Sequence, residues 1–121
     1  MADVLIVEDD KFLSKIYATK LKKEGIDVEM AFDGEQGLSK MRANKPKLVL
    51  LDLIMPKVDG FKVLEDMKKD ARLKKIPVVV LTNLGQEVDE KRCKEFGVEE
   101  FIVKADASIQ EVMLKIKGYL K

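Results

Sequence analysis

The sequence predicts an α/β protein: five parallel strands in one doubly wound sheet, in the order 2-1-3-4-5, with helices on both faces. Three observations carry that expectation. Short apolar runs alternate with segments of helical periodicity five times along 121 residues, the rhythm of right-handed β-α-β crossovers. The runs Val4-Leu5-Ile6-Val7, Leu48-Val49-Leu50-Leu51, Val78-Val79-Val80-Leu81 and Phe101-Ile102-Val103 are apolar without interruption. That is how strands covered on both faces read. Asp27-Val28-Glu29-Met30-Ala31 instead alternates polar and apolar residues. Such half-buried alternation marks an edge strand, which puts the second strand outside the first.

The elements follow in order. After the first strand and Glu8-Asp9-Asp10, the residues Phe12, Leu13, Ile16, Tyr17 and Leu21 recur at helical spacing. That helix ends at Glu24-Gly25, where glycine suits a C-terminal cap. Asp33-Gly34 turns the edge strand into a short helix carrying Leu38 and Met41, which stops before Lys45-Pro46. The third strand ends at Asp52, because Pro56 lacks an N–H and Asp59-Gly60 signals a turn. A helix with Phe61, Val63, Leu64 and Met67 follows, and Pro77 opens the fourth strand, which ends in Thr82-Asn83. A charged helix with Val88, Cys93 and Phe96 leads through Gly97 to the fifth strand, which ends at Lys104. The last helix starts at Asp106 or Ser108 as N-cap and sets Ile109, Val112, Met113, Ile116 and Leu120 on one face.

Composition limits what such a domain could do. At 121 residues the chain, 1–121, is expected to form one domain, with a core that needs no staples. The charged fraction is 37%, yet the net charge is +1, so there is no electrostatic case for nucleic acid or anionic lipid. No signal peptide opens the sequence, and no apolar run approaches the roughly 20 residues that span a bilayer. Cys93 is the single cysteine, which excludes a disulfide framework. A cytoplasmic location without membrane contact is the expectation. With no histidine, the chain has no imidazole of its own as ligand, base or phosphorylation site.

The strand ends carry the chemistry. The first strand delivers Glu8, Asp9 and Asp10, the third Asp52, the fourth Thr82 and the fifth Lys104. In a parallel sheet these ends share one edge, where open α/β sheets bind ligands. Each residue has a plain alternative: a solvated acidic face or an N-cap, a helix-capping threonine, a surface lysine. Their joint placement at four strand ends favours a common crevice. Crowded carboxylates repel one another and favour a bound divalent cation.

From end to end the chain resembles a receiver domain of bacterial two-component response regulators, of the chemotaxis-protein-like type with a flavodoxin-like fold. The residues that carry the resemblance are the acidic cluster after the first strand, Asp52-Leu53-Ile54-Met55-Pro56-Lys57-Val58-Asp59-Gly60, Thr82 and Lys104. The resemblance implies that Asp52 accepts a phosphoryl group as nucleophile. It implies Mg²⁺ held by Asp9, Asp52 and the Ile54 carbonyl, with Glu8 as the other acid of the pair. Thr82 and Lys104 would contact phosphoryl oxygens. Phe101 falls where the family has a switch aromatic that follows the Thr82 loop. Asp10 is expected to cap the first helix, although a role in the metal site stays open. One residue departs from the pattern: Ala105 stands where the family usually has proline, often in a cis bond. A non-proline cis bond costs roughly 2.5–4 kcal/mol, so the sequence leaves the geometry of this loop and the reach of Lys104 open.

The function implied is a phosphorylation-dependent switch rather than an enzyme with an external substrate. It would be charged by a sensor histidine kinase or phosphotransfer protein and read by a downstream protein at the last two helices and fifth strand. The alternatives are a receiver excised from a larger DNA-binding regulator and an aspartate-nucleophile phosphatase. The phosphatase needs aspartates spaced by one residue after the first strand, where Glu8-Asp9-Asp10 puts glutamate first. Nucleotide or flavin binding lacks a glycine-rich loop.

Overall fold

Each of the four apolar runs and the alternating segment forms a strand in the computed structural model, which describes residues 2–120. The order is β1 (Val4–Val7), α1 (Lys11–Lys23), β2 (Val28–Ala31), α2 (Gly34–Ala43), β3 (Leu48–Leu51) and α3 (Gly60–Lys69). Then come β4 (Val78–Thr82), α4 (Glu87–Glu95), β5 (Glu100–Val103), a 3-10 turn over Lys104–Asp106 and α5 (Ile109–Tyr119). All strand pairs are parallel, in the order β2-β1-β3-β4-β5. Three of the solid runs, β1, β3 and β4, are the inner strands and the alternating run is an edge, as the patterning predicts; the fourth solid run, β5, is the other edge, with only Ile102 buried.

Side chains alternate along a strand, so each inner strand feeds two cores. Leu5, Val7, Val49, Leu51, Val78 and Val80 join Leu38, Met41, Leu64, Met67 and Cys93 beneath α2, α3 and α4. Val4, Ile6, Leu48, Leu50, Val79 and Leu81 join Tyr17, Leu21, Val112 and Ile116 beneath α1 and α5. Fully burying one such side chain is worth roughly 1.5–3 kcal/mol, which ranks how firmly the helices are held. Helix α3 buries Val63, Leu64 and Met67, whereas α4 buries only Cys93. Val88, grouped by the sequence with Cys93 and Phe96, is 65% exposed instead. Part of what ties α4 to α3 is polar: the Arg92 guanidinium lies 4.0 Å from the centre of the Phe61 ring. Helix α4 is therefore the element that least apolar burial opposes in moving.

Side-chain caps begin four of the helices. Asp10, Asp33, Asp59 and Ser108 each accept a backbone N–H from the first turn of α1, α2, α3 and α5 respectively. Ser108 and Glu111 cap each other reciprocally, which decides the start of α5, and Asp106 belongs to the 3-10 turn. The caps of α1 and α3 also fix the two loops that carry acids to the sheet edge. Gly60 is required in the second loop, because a Cβ there would sit 2.5 Å from the Asp52 carbonyl oxygen. The same loop carries strain: Lys57 has φ 65°, in the left-handed region. Its exposed ammonium lies 3.9 Å from the buried Asp33 carboxylate, a long contact. Lys57→Gly removes the strain, so the variant is expected to gain up to about 1 kcal/mol, less the entropy glycine adds to the unfolded chain. Thermal melting checks this: a rise of about 3–5 °C is expected, and a lower midpoint would contradict it.

Candidate functional site

Four of the sequence-predicted residues are brought into one cluster. Glu8 and Asp52 stand one residue beyond the ends of β1 and β3, next to each other because those strands pair directly. Both are buried, at 4% and 5% exposure, while Asp9 is exposed. Carboxylate oxygens of Glu8, Asp9 and Asp52 lie within 4.8 Å of one another. Lys104, one residue past β5, reaches over this group from the far side of the crevice. Its Nζ donates to Glu8 Oε1 and, at 3.2 Å, to Asp52 Oδ2. Backbone donors hold the other oxygens: the Asp10 N–H reaches Glu8 Oε2 at 3.2 Å, and the Ile54 N–H reaches Asp52 Oδ1 at 3.3 Å.

The missing proline does not cost Lys104 its reach. There is no cis peptide bond among the described residues, and the chain turns through a 3-10 segment from Lys104. The departure at Ala105 is absorbed by that turn. Asp10 serves as the N-cap of α1, accepting from the Leu13 N–H at 3.0 Å, and stays outside the acidic cluster.

Thr82 closes β4 and is fully buried. Its Oγ1 accepts the Leu84 N–H at 3.3 Å. That bond uses a lone pair of the oxygen and leaves the hydroxyl proton able to serve another acceptor. Phe101 is half-buried and packs against the core beneath α2, α3 and α4, as an ordinary strand aromatic does. Ile54 is 51% exposed, whereas Leu84 is half-buried against the same core.

The charges do not balance. Two buried carboxylates face one ammonium, and the exposed Asp9 adds further negative charge. Burial, helped by repulsion from Asp52, raises the Glu8 carboxyl to about 7 against the pull of Lys104 and the Asp10 N–H. Burial disfavours the charged Lys104 ammonium, but Glu8 and Asp52 outweigh it and raise its pKa. A carboxyl raised above its unfolded value stabilises the fold when protonated, and that stability is lost as pH rises through the folded value. Without divalent cations the chain is thus expected to lose stability between about pH 5 and pH 8, through the value near 7. Urea unfolding across that range checks it: Glu8→Gln should flatten the slope, and an unchanged slope would refute the assignment.

Oxygen donors that converge in excess of positive charge suit a hard divalent cation, and the Glu8, Asp9 and Asp52 set fits one. Sequence reasoning missed two features here. One is that Lys104 pairs with both Glu8 and Asp52, which no local signal announces. The other is Tyr17, which reads as a core residue by its spacing but lines a cavity shared with Glu8 and Asp52. The hydroxyl on an otherwise apolar helix face was the available signal.

The sequence profile of the response regulator receiver domain matches residues 4–117. The chain belongs to that family. It is 34% identical over 121 residues to the DNA-binding dual master transcriptional regulator RpaA of Synechocystis, covering 100% of this chain and 50% of that protein. It is 35% identical to the CpxR homolog of Haemophilus influenzae, a transcriptional regulatory protein, over 100% of this chain and 51% of that one. The chain thus spans about half the length of these curated relatives. Among solved structures, the receiver domain of the Francisella response regulator 1452 superposes with a TM-score of 0.89 at 27% identity, covering 99% of this chain and 97% of that one. A receiver domain is a phosphorylation-dependent signalling module, and its family commonly uses Mg²⁺ at an acidic site. No helix among the described residues is long and apolar enough to cross a membrane.

Proposed function

We propose that Asp52 is the phospho-acceptor and that the domain switches its α4-β5-α5 face in response. The observation that carries this is the placement of Asp52: buried, and held between the Ile54 N–H and Lys104 beside further acids. The donor is the phosphohistidine of a sensor kinase or phosphotransfer protein, since the chain has no histidine. An Asp52 oxygen forms the new bond to phosphorus as the P–N bond breaks. The electron pair stays on the departing imidazole nitrogen, which takes up a proton.

Asp9, Asp52 and the Ile54 carbonyl, supported by Glu8, would hold Mg²⁺. When bound it supplies charge neutralisation for the phosphoryl oxygens. The remaining work belongs to the chain. Lys104 turns from Asp52 to a phosphoryl oxygen and the Thr82 hydroxyl donates a hydrogen bond to another, which draws β4's end toward the new group. Phosphorylation adds roughly −1.5 to −2 charges at that point. The motion reaches Phe101 on the neighbouring strand and α4, the helix least anchored by apolar burial. A downstream protein reads the shifted face without direct contact to nucleic acid by this domain. The matched relatives are about twice this length, which favours a larger regulator carrying the same domain as a second reading.

Intact mass after incubation with Mg²⁺ and acetyl phosphate tests the assignment. One added phosphoryl group is expected on the unmutated chain and none on Asp52→Asn. Equal labelling of both would remove Asp52 from the role, and turnover of phosphate monoesters would make the domain a phosphatase.

A further inference from the structure

Behind the acidic cluster, on the α1 side of the sheet, is a cavity of about 10 Å³. Ile6, Leu50 and Leu81 give it an apolar floor, and Glu8, Asp52 and Tyr17 supply its polar groups. Its size is that of a single water, the smallest cavity that can hold one. Apolar cavities of this kind stay dry, whereas a water with three polar partners is held as part of the structure. The polar groups here have the capacity to hold it. Each oxygen of Glu8 and Asp52 accepts one bond within the cluster, from Lys104 or from a backbone N–H. A carboxylate oxygen can accept about two, so both carboxylates retain acceptor sites.

Tyr17 is the remaining partner. It is 5% exposed and its ring belongs to the core beneath α1 and α5. Its hydroxyl makes none of the hydrogen bonds that tie Lys104, Glu8 and Asp52 together. Burial raises its pKa, with Lys104 opposing and Glu8 adding to the shift, so it is a neutral O–H donor in the electrostatic field of the cluster.

We propose that this cavity is a binding site for one water molecule, which joins the Tyr17 hydroxyl to Glu8 and Asp52 and makes Tyr17 a positioning residue for phosphoryl transfer. Tyr17 donates to the water oxygen, and the water donates one proton to each carboxylate. Asp52 is then braced from behind while its outer side faces the donor. A buried aspartate with support on one side only could turn inward into the cavity. The brace keeps the attacking oxygen at the crevice, where small misplacements cost rate. The kinetic part of this inference rests on Asp52 being the phospho-acceptor; the water itself does not.

Tyr17→Phe keeps the ring and removes the hydroxyl, so the fold should persist, and its melting curve verifies that. The expected result is phosphorylation by acetyl phosphate, at saturating Mg²⁺, at least fivefold slower than for the unmutated chain. High-resolution crystal structures of both chains are the second arm, with an ordered water between Tyr17, Glu8 and Asp52 expected in the unmutated chain and lost in Tyr17→Phe. A spectroscopic arm is available because the chain has no tryptophan and two tyrosines. In Tyr119→Phe, the emission of Tyr17 should change on adding Mg²⁺. A rate within twofold in Tyr17→Phe overturns the positioning role, and a dry cavity in the unmutated chain overturns the water site. If the unmutated chain takes no phosphoryl group, the phospho-acceptor reading fails, while the crystal structures still decide the water.

Discussion

Without divalent cations, Lys104→Ala is expected to unfold about 3 kcal/mol more easily than the unmutated chain, and Mg²⁺ is expected to return most of that loss. Removing one partner of a buried ion pair costs roughly 3–5 kcal/mol, because the other charge is left uncompensated. Here one ammonium serves two buried carboxylates, Glu8 and Asp52. The lower end of the range applies because Glu8 already holds its proton up to about pH 7 and can neutralise itself. A cation bound to the native state at 100 times its Kd contributes about 2.7 kcal/mol, enough to offset the loss. Lys104→Met separates charge from packing, since it keeps most of the stem. It should behave like Lys104→Ala if charge is what matters. Urea unfolding with and without Mg²⁺ reads the effect. Equal stabilities of Lys104→Ala and the unmutated chain in both conditions would show that the two ion pairs contribute nothing net. On the proposed role of Lys104, which turns from Asp52 to a phosphoryl oxygen, the same variant should lose its response in the phosphorylated state. Backbone NMR shifts in α4 and α5 that respond fully to a phosphoryl mimic in Lys104→Ala would remove Lys104 from that role.

Much of this arrangement is legible in the sequence, for a physical reason. A strand covered on both faces has no room for a polar side chain, so Val4-Leu5-Ile6-Val7 or Leu48-Val49-Leu50-Leu51 can hardly be anything else. The first polar residue after such a run marks the sheet edge, which is why the sequence alone brings Glu8, Asp52 and Lys104 together. What depends on three-dimensional reach was not legible. The turn at Lys104–Asp106 that replaces the expected proline is a backbone solution with no local sequence mark. The left-handed Lys57 is another, since lysine carries no preference for positive φ. Helical spacing also treats tyrosine as a ring, and so Tyr17 was read by its carbon face alone. Val88 shows the limit of spacing in the other direction: α4 has so few apolar residues that its sequence marks no inner face, and only Cys93 is buried.

The phosphorylated state is expected to be long-lived, and Ile54→Asn with Leu84→Glu is expected to shorten it at least tenfold. Hydrolysis of an acyl phosphate at Asp52 needs a water in line with the bond to phosphorus, held by a polar or acidic neighbour. Ile54 and Leu84 stand two positions past Asp52 and Thr82, on the loops that flank the approach. Ile54 is exposed over half its surface and is not committed to the core, so it is free to act at the approach. Leu84 is half-buried, and its N–H binds the Thr82 hydroxyl oxygen, which fixes the side chain beside the site. Neither side chain can orient a water, and both can exclude one. The two substitutions differ in their side effects. Ile54→Asn acts on an exposed side chain and leaves its backbone N–H on Asp52, so stability should be nearly unchanged. Leu84→Glu gives up some apolar contact with the core and should cost roughly 1 kcal/mol. Phosphate release from purified phosphoprotein, measured for each variant and for the pair, reads the lifetime. A tenfold gain corresponds to about 1.4 kcal/mol off the barrier. Rates within twofold of the unmutated chain would mean that these side chains do not govern water access.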